Sequence, residues 1–312
     1  MVIYIISDGK NGHLSQTRGL AYAIEEQLAQ KHPGKEFRCH ELNISSLGWF
    51  SKLFYKGESG LPRPDLVLCA GHSTHLAALS VARHYACPCM VCMRPSLPAG
   101  MFDLCITPRH DLPDGFLGNA KIFPTNGAIN GIHPQPDVPK TETLILIGGP
   151  SKSYKWDEEE VLTQLSSITS VSTTPMVLTT SRRTPADFVA DVSKACPSIR
   201  VVPVEETAPG WVAEHLSKAK EVWVTQDSVS MVYEALSSGA PVGILEMPPK
   251  EGPHKPDSSR IARGLNMLIS DGSVCRFTEW AKTHTIPQAK EPLNEAARAA
   301  AYILEHFPKL LS

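Results

Sequence analysis

The sequence predicts an α/β protein built from two consecutive units, each a parallel sheet with helices on both faces, and three observations carry this prediction. Short runs rich in Val, Ile and Leu recur along the chain, each long enough for a strand and too short for a helix. Segments of helical period separate them, so strands and helices alternate instead of forming blocks. The alternation breaks once, at residues 132–140, where three prolines interrupt a stretch without apolar periodicity, and then restarts.

In chain order, residues 2–6 (VIYII) form the first strand, a polar loop follows, and a helix is expected over residues 15–30. Strands are expected at residues 37–42 and 65–70. Between them, Trp49, Phe50, Phe54 and Tyr55 are expected to be half-buried packing residues, with an apolar surface for a membrane or acceptor lipid as the alternative. A helix over residues 74–85 leads to strands at 89–93, 104–107 and 122–124. After the proline-rich linker come strand 143–147, helix 158–168, strand 176–180, helix 186–195, strand 199–204 and helix 210–218. Strand 222–225 then ends in Gln226, Asp227 and Ser228, which open a helix that stops at Ser238 and Gly239, and Pro241 leads into strand 242–246. A loop rich in Pro, Lys and Gly spans residues 247–256, a helix covers 258–269, and a last helix near 293–310 packs back on the first unit. The expected domains are residues 1–135 and 140–290, with 291–312 returning to the first.

Composition narrows the function classes. At 312 residues and 42% hydrophobic, the chain is long enough to bury the cores of two domains. A net charge of −2, without a long Lys/Arg run, argues against a nucleic-acid binder that depends on phosphate neutralisation. The first strand begins at once, with no basic leader before it, and no apolar run reaches the ~18–20 residues of a membrane span. A cytoplasmic protein is therefore expected, with peripheral membrane contact left open. The eight cysteines include Cys87, Cys89 and Cys92 at close spacing. In a strand, Cys87 and Cys89 point one way and Cys92 the other, and no second pair has zinc-ribbon spacing, so buried thiols are expected.

Function is argued from the polar residues at the strand ends, because ligands of open parallel sheets collect outside the carboxyl edge. In the first unit these are Asp8, Lys10, Asn11, Gly12 and His13 after the first strand, His72, Ser73 and His75 after the third, and Arg94 after the fourth. In the second they are Gly148, Gly149, Ser151 and Lys152, then Ser181, Arg182 and Arg183, then Gln226, Asp227 and Ser228. Two such rims facing each other would form a cleft between domains. The diglycine can bring backbone N–H groups to a phosphate, and the arginines can neutralise a diphosphate, although both features also occur as ordinary turns and surface charges. On the helix after Ser228, Val229, Val232, Tyr233 and Leu236 form an apolar stripe, while Asp227, Ser230 and Glu234 share the opposite face. No GxxxxGK[ST] and no GxGxxG occurs, which removes the P-loop and dinucleotide readings. No Asp-x-Asp is present to hold a divalent ion against a diphosphate, so no metal site and no cofactor is expected.

Together, residues 7–16 (SDGKNGHLSQ), 148–151 (GGPS), 180–185 (TSRRTP) and 225–235 (TQDSVSMVYEA) resemble the family named for a plant mitochondrial-fission factor, whose bacterial members are classed with the glycosyltransferases. Four motifs in the same order, spread over nearly the whole chain, make the resemblance more specific than any one of them. It implies two Rossmann-like domains of the GT-B type, with an acceptor-facing glycine-rich loop in the first and a nucleotide-sugar site in the second. By the same resemblance Ser228, Ser230 and Glu234 correspond to the donor's phosphate and ribose contacts. Asp227 would repel a diphosphate at that helix start, so it either caps the helix and turns away or the phosphates sit nearer Ser151 and the arginines. Sugar transfer needs a base for the acceptor hydroxyl, with His13 as the first candidate and Asp8 the second. His72, Ser73 and His75 are candidates for acceptor binding, and Arg94 for an anionic acceptor group. The expected partners are a nucleotide-diphospho-sugar and a hydroxyl acceptor on a surface glycan or lipid-linked precursor. Two rival readings keep the same architecture: a nucleotide-sugar 2-epimerase, which needs no acceptor, and a non-catalytic protein that binds nucleotide-sugars or recruits partners.

Overall fold

A computed structural model describes residues 1–250, 260–289 and 293–311. The first part of the chain runs β1 (Val2–Ser7), α1 (Asn11–Lys31), β2 (Arg38–Asn43), α2 (Trp49–Leu53), β3 (Leu66–Ala70), α3 (His75–Tyr85), β4 (Cys89–Cys92), β5 (Leu104–Pro108) and β6 (Ile122–Thr125). The second runs β7 (Glu142–Leu146), α4 (Glu158–Val171), β8 (Met176–Thr179), α5 (Phe188–Ala195), β9 (Ile199–Val202), α6 (Trp211–Lys218), β10 (Ala219–Thr225), α7 (Val229–Ser237), β11 (Val242–Leu245), α8 (Arg260–Ser270), β12 (Cys275–Arg276) and α9 (Phe277–Thr283). The last helix is α10 (Glu295–His306). Contacts divide the chain into one unit of Met1–Gly131 with Asn294–Ser312, and another of Ile132–Leu293.

Each unit holds a six-stranded sheet whose named pairs are all parallel, in the order β2-β1-β3-β4-β5-β6 and β12-β11-β10-β7-β8-β9. The fold is therefore α/β with two Rossmann-like domains. In each sheet the connections reverse direction at one place, between β1 and β3 in the first and between β7 and β10 in the second. Such a reversal leaves a crevice at the carboxyl edge, because the loops on its two sides leave in opposite directions.

The strands read as continuous apolar runs because both faces are covered. In the first unit Ile3, Ile5, Leu66 and Leu68 face one layer, with Leu20, Ile24 and Leu28 of α1 and Ala299, Ala300 and Ile303 of α10. Tyr4, Ile6, Val67 and Cys69 face the other, with Ala77, Ala78 and Val81 of α3. The alanines of α10 let it lie close against α1, and the Gln27 side chain donates to the Ala297 carbonyl at 2.7 Å. The last helix thus packs on the first domain. In the second unit Ile145, Trp223, Leu165, Phe188 and Trp280 share one layer. The predicted stripe of α7 is buried, with Val229, Val232, Tyr233 and Leu236 at 8%, 0%, 2% and 3% exposure.

Several expectations are corrected. α1 begins at Asn11, not residue 15, which puts His13 in its first turn. Gly12 reads as a loop residue, but it stands in the first turn of α1, where its conformational freedom costs the helix no more than about 1 kcal/mol. β10 begins three residues before the expected strand, across a shift of its register with β7 between Ala219 and Glu221. The two-residue β12 and the helix α9 carry no periodic signal long enough to read. Trp49, Phe50 and Phe54 are not half-buried but 70%, 62% and 66% exposed, because the short α2 sends no side chain into the core. Tyr55 alone of that group is half-buried. Cys89 and Cys92 fall in opposite layers, as strand alternation requires, and all eight cysteines are free thiols. Much of the expected loop 247–256, and the start of the expected helix 258–269, lie outside the described residues.

Candidate active site

At the reversal in the first sheet, β1 ends in Ser7 and hands the chain to Asp8, whose side chain is 5% exposed. Both carboxylate oxygens are occupied. Oδ1 lies 2.9 Å from His13 Nδ1, and Oδ2 accepts from Ser73 Oγ at 2.7 Å, with Lys10 Nζ at 3.3 Å. Burial alone would raise this carboxyl. The hydrogen bonds from Ser73 and His13, with the charge of His13 and the Lys10 backbone N–H, outweigh burial and hold it well below the ordinary carboxylate range. An ionised carboxylate only accepts, so the His13 Nδ1 facing it carries the proton and the Nε2 lone pair is left free to accept. The imidazole is 21% exposed and reachable by solvent. Its ring lies over Gly71, where a Cβ would fall 2.2 Å from His13 Cε1 and where φ is +87°, so Gly71 serves both the turn and the close approach.

Neighbouring candidates divide. Lys10, Asn11, Gly12 and His72 are exposed around this pair. Ser73 spends its hydroxyl proton on Asp8 and so positions the acid. His75 is 2% exposed, with Nδ1 3.1 Å from Ser96 Oγ and its ring edge-on to Phe102, and burial beside His72 and His13 pulls it down to about 4. It is a neutral tie between two loops and not a surface for an acceptor, which corrects the expected role. Arg94 is exposed and donates to the Asp111 carbonyl at 3.3 Å, at the edge of a cavity of about 550 Å³ lined by Leu97, Leu112 and Phe116.

The second sheet is built around Asp227, whose side chain is fully buried. It neither caps α7 nor meets solvent. Its Oδ2 accepts from Gly149 N at 3.2 Å, from Ser228 Oγ at 3.0 Å and from Arg183 Nη2 at 2.7 Å. Arg183 also donates to Ser228 Oγ at 3.0 Å and to the Pro150 carbonyl at 3.2 Å. The three loops after β7, β8 and β10 are pinned to one carboxylate. The glycines are required by approach distance: a Cβ on Gly148 would lie 2.2 Å from Ser228 Oγ, and one on Gly149 2.3 Å from the Arg183 carbonyl. Three residues that sequence reasoning passed over complete the frame. Thr225 Oγ1 accepts from Gly148 N at 2.7 Å, Thr184 Oγ1 donates to the Gly148 carbonyl, and Tyr154 OH accepts from Gln226 at 3.2 Å. For the two threonines, a place at a strand end and in a turn was the available signal, and Tyr154 had none.

Ser181, Gln226, Asp227, Ser228 and Arg183 all hydrogen-bond within this frame, where Asp227 and Ser228 are buried and Arg183 stays exposed at its rim. Lys152, Arg182 and Ser230 are exposed, the Ser151 hydroxyl accepts from the N–H groups of Ser153 and Tyr154 at 3.3 and 3.0 Å, and at the start of α7 Ser228 makes no side-chain cap. No described residue pairs with the Arg182 guanidinium or the Glu234 carboxyl. Burial pushes Glu234 from 4.5 up to about 7. Between those values the folded chain keeps a proton that the unfolded chain has released, so stability falls as pH rises from about 4.5 to about 7. Glu234→Gln is expected to remove that slope and to be more stable than the parent at pH 8 by on the order of 2 kcal/mol. Thermal unfolding at pH 5 and pH 8 checks it. Among the described residues no group of three His, Cys, Asp or Glu side chains is placed to hold a metal ion.

A family model described as mitochondrial fission ELM1 matches residues 11–307. The chain belongs to the mitochondrial fission ELM1 family. This ELM1-family chain is similar to the uncharacterized protein RP120 of Rickettsia prowazekii, 25% identical over 359 residues that cover 97% of this chain and 98% of the relative. The structure of the UDP-GlcNAc 2-epimerase from Methanocaldococcus jannaschii superposes with a TM-score of 0.53 at 14% identity, covering 98% of this chain and 100% of that one. The glycotransferase of kitacinnamycin superposes with a TM-score of 0.50 at 14% identity, covering 100% and 99%. At these identities the two structures share a fold with the ELM1-family chain, the GT-B class of two Rossmann-like domains.

Proposed function

We propose that this chain is a metal-independent glycosyltransferase that moves a sugar from a nucleotide-diphospho-sugar to a hydroxyl acceptor. One observation supports it most. At the reversal of the second sheet, an uncapped helix start and an exposed arginine adjoin a rigid diglycine, with the unpaired carboxyl of Glu234 farther along the same helix. Helix N–H groups and Arg182 suit a diphosphate, and Glu234 suits a ribose hydroxyl, whose donated hydrogen bond would favour the ionised carboxylate.

In this reading His13 Nε2 takes the proton of the acceptor hydroxyl while Asp8 holds Nδ1–H and steadies the imidazolium that forms. The acceptor oxygen bonds to the anomeric carbon, the bond from that carbon to the phosphate oxygen breaks, and the electron pair leaves on the nucleoside diphosphate. Arg182, Lys152 and the α7 N–H groups stabilise the charge that develops there.

The test is a thermal-shift series with UDP, GDP, CDP and ADP and their sugars. A ligand at 100 times its Kd stabilises by about 2.7 kcal/mol, which for a domain of this size raises Tm by roughly 5–10 °C. Arg182→Ala is expected to reduce the shift without lowering the Tm of the free protein, since no described residue pairs with it. No shift with any nucleotide would sink the donor site. Consumption of nucleotide-sugar without acceptor would move the reading to an epimerase, and binding without turnover of any sugar to a non-catalytic protein.

A further inference from the structure

We propose that α2 and its flanks dock on an anionic lipid surface. Four of the nine large apolar side chains exposed among the described residues, Trp49, Phe50, Leu53 and Phe54, lie within this one short stretch. No residue of α2 is buried. The rings rest on one another and not on a core, with centroids 5.7 Å apart for Trp49 and Phe50 and 5.4 Å for Phe50 and Phe54. A contiguous apolar projection of this kind is unfavourable in water unless something covers it.

Charge says what covers it. Between Glu41 and Glu58 the only charged residues are Lys52 and Lys56, so the aromatic cluster is accompanied by positive charge alone. Trp and Phe beside Lys is the composition that partitions into the headgroup region, where the rings enter the acyl boundary and the ammonium groups meet lipid phosphates. A five-residue helix is about 7.5 Å long, enough to reach the interface and too short to present the i, i+3, i+4 and i+7 anchors of a helix bound in a protein groove. Among the described residues no helix is long and apolar enough to cross a membrane, so the contact is peripheral.

The projection stands on a fixed base. Ser80 Oγ of α3 donates to the Leu53 carbonyl at 2.9 Å, and just before α2 the buried Ile44 donates its N–H to the Ser7 carbonyl at 2.9 Å. That second bond ties the segment to the end of β1, the same carboxyl edge that carries Asp8 and His13. A lipid surface held by α2 would therefore lie along the edge of the first domain that carries His13.

The experiment uses the full chain and vesicles of about three parts phosphatidylcholine to one part phosphatidylglycerol, with phosphatidylcholine alone as the neutral control. Co-sedimentation is expected with the anionic vesicles and at least about tenfold weaker with the neutral ones. The triple variant Trp49→Ser, Phe50→Ser, Phe54→Ser is expected to lose about tenfold or more in binding while keeping the parent's circular dichroism and Tm, because the replaced side chains are solvent-exposed. The double variant Lys52→Glu, Lys56→Glu tests the charge separately and is expected to erase the preference for anionic vesicles. Absence of sedimentation with anionic vesicles, or equal binding by the triple variant, overturns the proposal. So does concentration-dependent self-association that the triple variant abolishes, since that assigns the patch to a second copy of the chain. None of these outcomes depends on sugar transfer.

Discussion

His13→Ala is expected to lower turnover by about 10²–10⁴-fold, the usual contribution of a positioned general base, while leaving the nucleotide-dependent rise in Tm unchanged. The two readouts separate because His13 belongs to the first unit and the proposed donor contacts belong to the second. The argument rests on the tautomer. Asp8 is buried, ionised and hydrogen-bonded on both oxygens, so the imidazole is held in the tautomer whose Nε2 can accept a proton. Asp8→Asn offers a neutral amide in that place, which can donate to Nδ1 and favour the other tautomer, so it is expected to lose most of the same turnover with His13 intact. Unchanged turnover in His13→Ala would remove it as the base. A loss of the nucleotide shift in the same variant would mean that the residue acts on folding or binding instead.

Gly149→Ala is expected to destabilise the second unit by about 3 kcal/mol, at the upper end of the cost of overpacking, and so to lower its Tm by roughly 6–12 °C. The added methyl would meet the Arg183 carbonyl at 2.3 Å, a backbone atom that cannot swing aside as a side chain would. To make room, the loops after β7 and β8 must part, which strains the Gly149 N–H bond to Asp227 and the ion pair of Asp227 with Arg183. Gly12→Ala is the control, because nothing lies within 4 Å of a Cβ there, and a helical alanine in place of glycine gains up to about 1 kcal/mol. Equal unfolding of the Gly149 variant and the parent would show that the three loops are not held as one body.

The fold was legible because its strands are buried on both faces. Runs such as Ile3–Ile6 and Val222–Val224 are apolar throughout, and only a parallel sheet between two helical layers calls for that. The stripe on α7 was legible for the complementary reason, a one-sided burial at helical period. What could not be read was the use of each polar residue at the strand ends. Arg183 and Asp227 both look like surface charges, and only the reversal between β7 and β10 brings them to 2.7 Å and buries the carboxylate of the pair. His72 and His75 stand three residues apart in one motif, yet the turn between them leaves the first exposed and buries the second beside Phe102. The aromatics of α2 misled in the opposite direction, since aromatic side chains are usually covered, and whether five residues of helix reach the core depends on the backbone around them and not on their composition.

The return of α10 to the first unit has a consequence for how the protein is made. A ribosome releases the strands of the first sheet long before residues 294–312 exist, so the nascent chain carries an unfinished domain while the second is synthesised. During that interval the flank of α1 that later receives α10 is bare, including the Gln27 amide that will reach the Ala297 carbonyl. The second domain is contiguous and can close as soon as it emerges, so the domain that begins first is the later of the two to finish, and its completion awaits the synthesis of residues 294–312.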